Sequence, residues 1–453
     1  MPSVADFINQ NRQRYVDELF DLLRMPTVSA DSTKKQELVK CAEWLVAHLK
    51  QIGLNASVEK TPGHPIVYAE WLGRPGKPTV LYYGHYDVQP ADPLDLWKTP
   101  PFEPTVKDGS VYARGSSDDK GQFYTHIKAV EAFFKTAGGP PVNVKFLIEG
   151  EEEASGSNLD HYIETHREKL ACDEIIVSDT AQFDKDHPGI TYGLRGIVYM
   201  EVIVTGPNRD LHSGEYGGAV HNPANVLAQM IAKLHHADGR VAIDGFYDDV
   251  LALTREERDE FLRLPFNRKH YMEELEVDAL FGEAGFTELE RLWARPTCDV
   301  NGLYSGYMGE GSKTIIPFKA GAKISMRMVP NMDPNRIEYL FRSYIEKIAP
   351  KTVKLQIITH GKAWPVVVST DNPSLVKARK AIEKGFGARP VLMRCGGAIP
   401  VVGTFKKELK VSALLMGFGL PDDNLHSPNE KFSLENYHRG ILTSAYMMED
   451  LAC

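Results

Sequence analysis

Val80-Leu81-Tyr82-Tyr83-Gly84-His85-Tyr86-Asp87 is a short apolar run that ends in a histidine and an aspartate. A brief run of this kind predicts a strand buried on both faces. Three more stretches read the same way: Val142 to Ile148, Ile175-Ile176-Val177, and Val411 to Met416. A helical pattern from Gln122 to about Lys135 lies between the first two. Strands alternating with helices predict an α/β fold whose sheet is mostly parallel and flanked by helices. Two amphipathic helices are expected upstream. One covers residues 6–23, and the other covers residues 35–52 and stops at Gly53.

The middle of the chain has a different order. Ile197 to Val204 reads as a strand and Pro223 to His236 as a helix. Strands follow near residues 300–307 and 318–328, then a helix from Pro334 to Ile348 and a strand from Val353 to Thr359. That order, βαββαβ, is the split pattern of ferredoxin-like domains. The expected organisation is therefore a catalytic domain, residues 1–193 and 365–453, interrupted by an inserted domain at residues 194–364. A charged stretch at residues 245–298 is expected to be helical and solvated.

Each buried run leads into polar residues. The first reaches Gly84-His85-Tyr86-Asp87 and the second Glu149-Gly150-Glu151-Glu152-Glu153. The third reaches Ser178-Asp179, and the fourth reaches Asp422-Asp423-Asn424-Leu425-His426. In open α/β sheets, sites form beyond the carboxyl ends of the strands. Asp118-Asp119-Lys120-Gly121 precedes a helix and can face the same crevice. Taken singly, each cluster reads as a solvated turn or a helix cap. Pooled at one edge, so many acids repel one another unless some are protonated or cations neutralise them. Imidazole and carboxylate donors without thiolate suit zinc first, with manganese or cobalt also open. Two metals sharing one carboxylate would need about this many ligands.

Composition narrows the classes. The 453 residues carry a net charge of -9, which argues against a nucleic-acid or anionic-membrane partner. Five scattered cysteines without a Cys-x-x-Cys pair suggest free thiols and a cytoplasmic setting. The first residues do not read as a signal peptide, and no apolar stretch is long enough for a membrane helix. The chain has no Gly-x-Ser-x-Gly elbow and no His-Glu-x-x-His pair, which disfavours a serine hydrolase and a helical single-zinc protease.

Several stretches resemble the co-catalytic di-metal peptidases that include carnosinase, aminoacylase and succinyl-diaminopimelate desuccinylase, and within them the cytosolic dipeptidases. They are Gly84-His-Tyr-Asp-Val-Gln-Pro90, Arg114-Gly-Ser-Ser-Asp-Asp-Lys-Gly121, the 149–153 acidic run, Ser178-Asp179 and Asn424-Leu-His-Ser-Pro-Asn-Glu430. Tyr192-Gly-Leu-Arg-Gly196, Asp210-Leu-His-Ser-Gly214 and Met328-Val-Pro-Asn331 continue the likeness in order. The resemblance implies that His85 and His426 each end-cap one of two metal ions and that Asp118 bridges both. Glu153 would complete one site and Asp179 the other. Glu152 would be the general base acting on a metal-activated water, and Asp87 would orient His85. Glu151 with Glu152 is the alternative register for the base and ligand. The inserted domain resembles the family's lid and dimerisation domain, implying a homodimer. There His212 would enter the partner's active site and stabilise the oxyanion. Arg327 would read the substrate carboxylate, and Thr314 would contact substrate.

One departure stands out. Where the family's dipeptidases read Glu-Gly-Gly-Ser-Ile-Pro, this chain reads Cys395-Gly396-Gly397-Ala398-Ile399-Pro400. The metal ligands are unaffected, but the specificity pocket has lost a hydroxyl and a carboxylate. The leading expectation is a metal-dependent hydrolase of dipeptides or similar short peptides with a free C-terminal carboxylate. The alternatives are an amidohydrolase acting on N-acyl or N-carbamoyl amino acids and a non-catalytic binding protein of the same fold.

Overall fold

The computed structural model describes residues 2–154, 156 and 158–453. They fall into two compact units. The first comprises the chain up to Tyr192 with Val368–Met393 and Thr404–Cys453, and the second comprises Gly193–Val367 with Arg394–Gly403.

The first unit is built on a mixed sheet. Its central strands are Asn143–Glu149, Thr79–His85, Glu174–Val177 and Ala413–Leu415, in that spatial order and all parallel. Asn55–Glu59 and Ile66–Trp71 extend one side antiparallel, and Gly189–Leu194 lies antiparallel on the other. The apolar runs thus mark the parallel centre. The antiparallel margins escape the reading because they mix polar residues such as Ser57, Glu59 and Glu70 with apolar ones. Register aligns the strand ends: His85 pairs with Glu149, Tyr83 with Val177, and Leu415 with Val177. The polar clusters therefore leave the sheet at one edge.

The helix Lys120–Ala137 begins at that edge and is buried from Lys120 through Phe133. A helix enclosed all round must satisfy its polar side chains internally. Gly84 lets it approach the sheet, since a Cβ there would fall 2.4 Å from Phe123 Cβ. The helix expected over residues 6–23 is two helices, Val4–Gln10 and Arg12–Leu23, interrupted at Asn11. The Asn11 amide side chain bonds the Phe7 carbonyl, a local competition that apolar spacing does not reveal. The helix Lys35–Ile52 ends as expected at Gly53, whose φ is 119°.

The second unit holds an antiparallel sheet in the order Thr297–Ser305, Lys319–Met328, Gly196–Thr205, Lys354–Ala363. The helices Pro223–Ala232 and Pro334–Ile348 contribute Leu227, Met230, Ile337, Phe341 and Ile345 to one core with Val198, Met200, Val202, Ile324 and Met326. This is the βαββαβ arrangement. The charged stretch forms the helices Arg255–Arg263, Arg268–Glu274 and Glu288–Ala294. The first and third start with capping boxes, Thr254 with Glu257 and Thr287 with Glu290. Residues 394–403 belong to this unit, where Arg195 donates from Nε to the Gly396 carbonyl at 2.8 Å. No described helix is long and apolar enough to cross a membrane.

Candidate metal centre

His85 closes its strand with a fully buried side chain. Its Nδ1 donates to the backbone carbonyl of Asp87 at 3.0 Å. That leaves Nε2 as the nitrogen that can ligate a metal. Nε2 lies 3.0 Å from Asp118 Oδ1. On the other side of the same carboxylate, His426 Nε2 lies 3.0 Å from Asp118 Oδ2 and 3.4 Å from Glu153 Oε1.

Two triplets result. Donor atoms of His85, Asp118 and Asp179 lie within 4.8 Å of one another, and so do those of Asp118, Glu153 and His426. Asp118 is common to both. It precedes the Lys120–Ala137 helix, whose N-terminus favours negative charge. His426 reaches in from a loop with positive φ at Asn424, His426 and Asn429, a conformation that Asn and His tolerate better than most residues.

The acidic run divides by position. Glu153 faces His426, and its Oε2 accepts from Gln89 Nε2 at 2.8 Å. Glu151 turns instead to Asn158, whose Nδ2 donates to it at 2.6 Å. Asp87 touches His85 mainly through its carbonyl. Its carboxylate accepts the backbone amides of Glu152 at 3.2 Å and Glu153 at 3.0 Å. It therefore sets the turn that presents both glutamates, a task not visible in the sequence. Asp119 is another unanticipated neighbour, accepting the His85 amide at 3.2 Å. Its other oxygen is buried with no hydrogen-bond partner among the described residues.

The electrostatics are those of an acid cluster with imidazoles, and no described lysine or arginine, beside it. No described lysine or arginine pairs with Asp118, Asp179, Glu152 or Glu153; their close charged neighbours are the two imidazoles. Burial opposes ionisation of Asp118, but hydrogen bonds from His426 and His85 outweigh it and hold its pKa below the ordinary range. Burial, then the charges of Asp118 and Asp119, push Asp179 well above that range. Burial also pushes Glu152 up to about 7, with Glu153, Asp118 and Asp87 adding to it against His85. Hydrogen bonds to Asp118 and Glu153 raise His426 to about 10. Two imidazoles and three carboxylates with no thiolate fit divalent zinc, manganese or cobalt.

The other anticipated residues lie in the second unit. His212 and Thr314 come together at a two-stranded ribbon in which His212 pairs with Ile315, and both are exposed. His212 Nδ1 accepts the Gly214 amide at 3.0 Å. Arg327 stands near the end of the Lys319–Met328 strand, where it pairs in register with Thr297 and Ile197. Burial lowers its pKa, and no carboxylate bonds it among the described residues.

A mixed α/β unit with this donor set at its strand ends, in a chain that also carries a ferredoxin-like unit, defines a metallopeptidase of the co-catalytic type. The chain belongs to Peptidase family M20/M25/M40, whose family model matches residues 81–450. It is 33% identical over 472 residues to the Cys-Gly metallodipeptidase dug1 of Schizosaccharomyces pombe, covering 100% of this chain and 98% of that protein. It is 31% identical over 468 residues to human Beta-Ala-His dipeptidase, covering 99% and 92%. Among solved structures, the M20 family metallo-carboxypeptidase Sso-CP2 from Sulfolobus solfataricus superposes with a TM-score of 0.88. It is 34% identical, covering 97% of this chain and 99% of that one.

Proposed function

We propose that this chain hydrolyses the amide bond of dipeptides, or of similarly short peptides with a free C-terminal carboxylate, using two divalent metal ions per subunit. The observation that carries the reading is Asp118, one carboxylate shared by two ligand triplets with no lysine or arginine among the described residues to neutralise them. His85, Asp118 and Asp179 would hold one ion, and Asp118, Glu153 and His426 the other. Bound there, the ions supply Lewis acidity that activates water and polarises the scissile carbonyl. Zinc suits the donors best, with manganese and cobalt as the alternatives.

Glu152 takes a proton from the attacking water and returns it to the leaving amine. Asp87 keeps the Glu152–Glu153 turn and the His85 ring in place through the contacts described above. Arg327 reads the free carboxylate by a forked pairing, and a desolvated guanidinium that no carboxylate bonds among the described residues is suited to that task. Both dipeptidases and a carboxypeptidase stand among the relatives, and substrates of either kind end in a free carboxylate.

His212 stabilises the oxyanion, with Thr314 beside it, in the partner's active site of a homodimer. The second unit's own dimensions support action in trans. His212 and Thr314 lie by the start of the Lys319–Met328 strand, and Arg327 near its end. Eight residues of strand separate these points by about 26 Å, whereas an extended dipeptide spans about 7 Å. Within one chain the two groups are thus held far apart along the strand, which favours action in trans. The net charge of -9 and five free cysteines favour a cytoplasmic setting.

A screen of dipeptides, longer peptides and N-acyl amino acids against zinc- and manganese-loaded protein tests the assignment. Fastest turnover of dipeptides, with poor turnover of their C-terminal amides, is expected. Preference for acyl amino acids replaces the dipeptidase reading, and equal turnover of amides removes Arg327 as the carboxylate reader. Mixing His212→Ala chains with Glu152→Gln chains tests the dimer. Partial recovery of activity supports action in trans, and none after proven subunit exchange rejects it.

A further inference from the structure

Glu430 is a fully buried carboxylate four residues beyond His426. Four donors converge on it. Oε2 accepts from Arg114 Nη1 at 2.8 Å and from the Gly115 amide at 2.9 Å. Oε1 accepts the amides of Ser117 at 2.9 Å and Asp118 at 3.1 Å. Its backbone carbonyl also accepts the Ala113 amide at 3.1 Å. Amides from one short loop directed at a single anion form the kind of nest that elsewhere binds an external anion. Here the chain fills the nest itself.

The geometry assigns Glu430 as a positioning residue of the metal centre: it fixes the loop carrying Asp118 against the loop carrying His426, so that one aspartate can serve two metal ions. The inference rests on the metal-centre reading above. The two loops meet on both sides of His426 in sequence. At Asp423, Oδ2 accepts from Ser117 Oγ at 2.8 Å. At Glu430, the three loop amides are held. Just beyond, Lys431 pairs with Tyr112. Asp118 must point one oxygen toward each imidazole, and its own amide ends on Glu430. A shift of that amide rotates the carboxylate away from one side or the other. Arg114 accounts for only one of the four donors, so charge pairing alone does not describe the role.

The test follows manganese binding and the EPR spectrum of the metal-free protein loaded with two equivalents of Mn²⁺. Two ions bridged by one carboxylate give an exchange-coupled signal, expected for wild type. Glu430→Gln puts an NH₂ group against two of the four donors, and Glu430→Asp, a milder change, cannot span all of them. In the folded variants, judged by circular dichroism and by melting of the metal-free form, the second ion should bind about 10- to 100-fold more weakly. The coupled signal should give way to isolated Mn²⁺. Arg114→Met, which leaves the three amides on Glu430, should keep the coupled pair. A folded Glu430 variant with wild-type affinity and a coupled signal overturns the positioning role, as does a loss of coupling in Arg114→Met equal to that in Glu430→Gln. A wild type that binds no pair of ions overturns the metal-centre reading, and this role with it.

Discussion

Among the described residues of the first unit, two clusters of histidine and carboxylate have metal-like spacing, and they solve the same electrostatic problem differently. Glu18, His48 and Glu131 bring their ligand atoms as close together as the two triplets around Asp118 do. In their midst sits Lys128 Nζ, bonded to Glu18, to His48 Nε2 at 2.7 Å and to Glu131 at 2.8 Å. Arg14 adds contacts to Glu18 and Glu131 at 2.7 and 2.8 Å. The chain supplies its own lysine and arginine there. Around Asp118 the described residues supply only the two imidazoles: Arg114 is committed to Glu430, and Lys120 Nζ donates to the Leu22 and Met25 carbonyls. Donor spacing alone therefore does not identify a metal site. What distinguishes the two is that a lysine and an arginine neutralise the first cluster, whereas only ring nitrogens that can also ligate a metal face Asp118 among the described residues.

The largest effect expected from this contrast is at the shared carboxylate. Asp118→Asn removes the charge common to both triplets and should abolish turnover and metal retention together. Assay and elemental analysis on one preparation would check it. Retention of both ions by a folded Asp118→Asn protein would contradict the bridge.

Glu152→Gln should lower kcat by about 10²–10⁴-fold, the usual scale for a positioned acid–base group, while the metal content stays at the wild-type level. Glu153→Gln should instead weaken metal binding, because Glu153 is the glutamate that faces His426. Reversal of the two outcomes would exchange their roles.

The structural cluster should respond in stability, not in catalysis. Lys128→Met leaves two carboxylates without their central cation, at a cost of about 3–5 kcal/mol for a broken buried pair. Activity per folded molecule should be unchanged. Lys128→Ala vacates the space the ammonium fills, so added zinc should restore part of the lost Tm. Zinc indifference would mean that the cluster's shape, and not only its cation, excludes a metal.

The smallest effect is the cluster's pH dependence. Burial and then the Lys128 charge lower His48 to about 4 from its ordinary 6.5. Burial opposes ionisation of Glu131, but Lys128 and Arg14 outweigh it and hold its pKa below the ordinary 4.5. Both folded values lie below the unfolded ones, so the stability these groups contribute is complete above the unfolded values and falls as the pH drops. His48 acts between pH 6.5 and about 4, and Glu131 from about 4.5 downward. The Tm difference between wild type and His48→Gln should therefore change across pH 6.5 to 4 and level off above it. A difference independent of pH would show that His48 does not titrate in the unfolding reaction.

Much of this centre is legible in the chain because buried parallel strands write continuous apolar runs, and the site begins where each run stops. His85, Asp179 and the 149–153 acids announce themselves in that way. The division of labour within Glu151-Glu152-Glu153 does not, because a turn rather than a period decides which side chain faces His426. Glu430 stands in the quoted Asn424–Glu430 stretch, yet its task is invisible there. A carboxylate that gathers backbone amides from a loop more than 300 residues away has no sequence spacing to mark it. His48 and Lys128 read as ordinary helix residues for the same reason, since their partnership exists only once the helices pack.

The most direct test of the central claim is to titrate the metal-free protein with zinc or manganese while following bound metal and dipeptide turnover together. The account predicts that activity is absent at the start, rises with added metal and saturates at about two ions per chain. Full turnover by protein shown to hold no stoichiometric metal would contradict it.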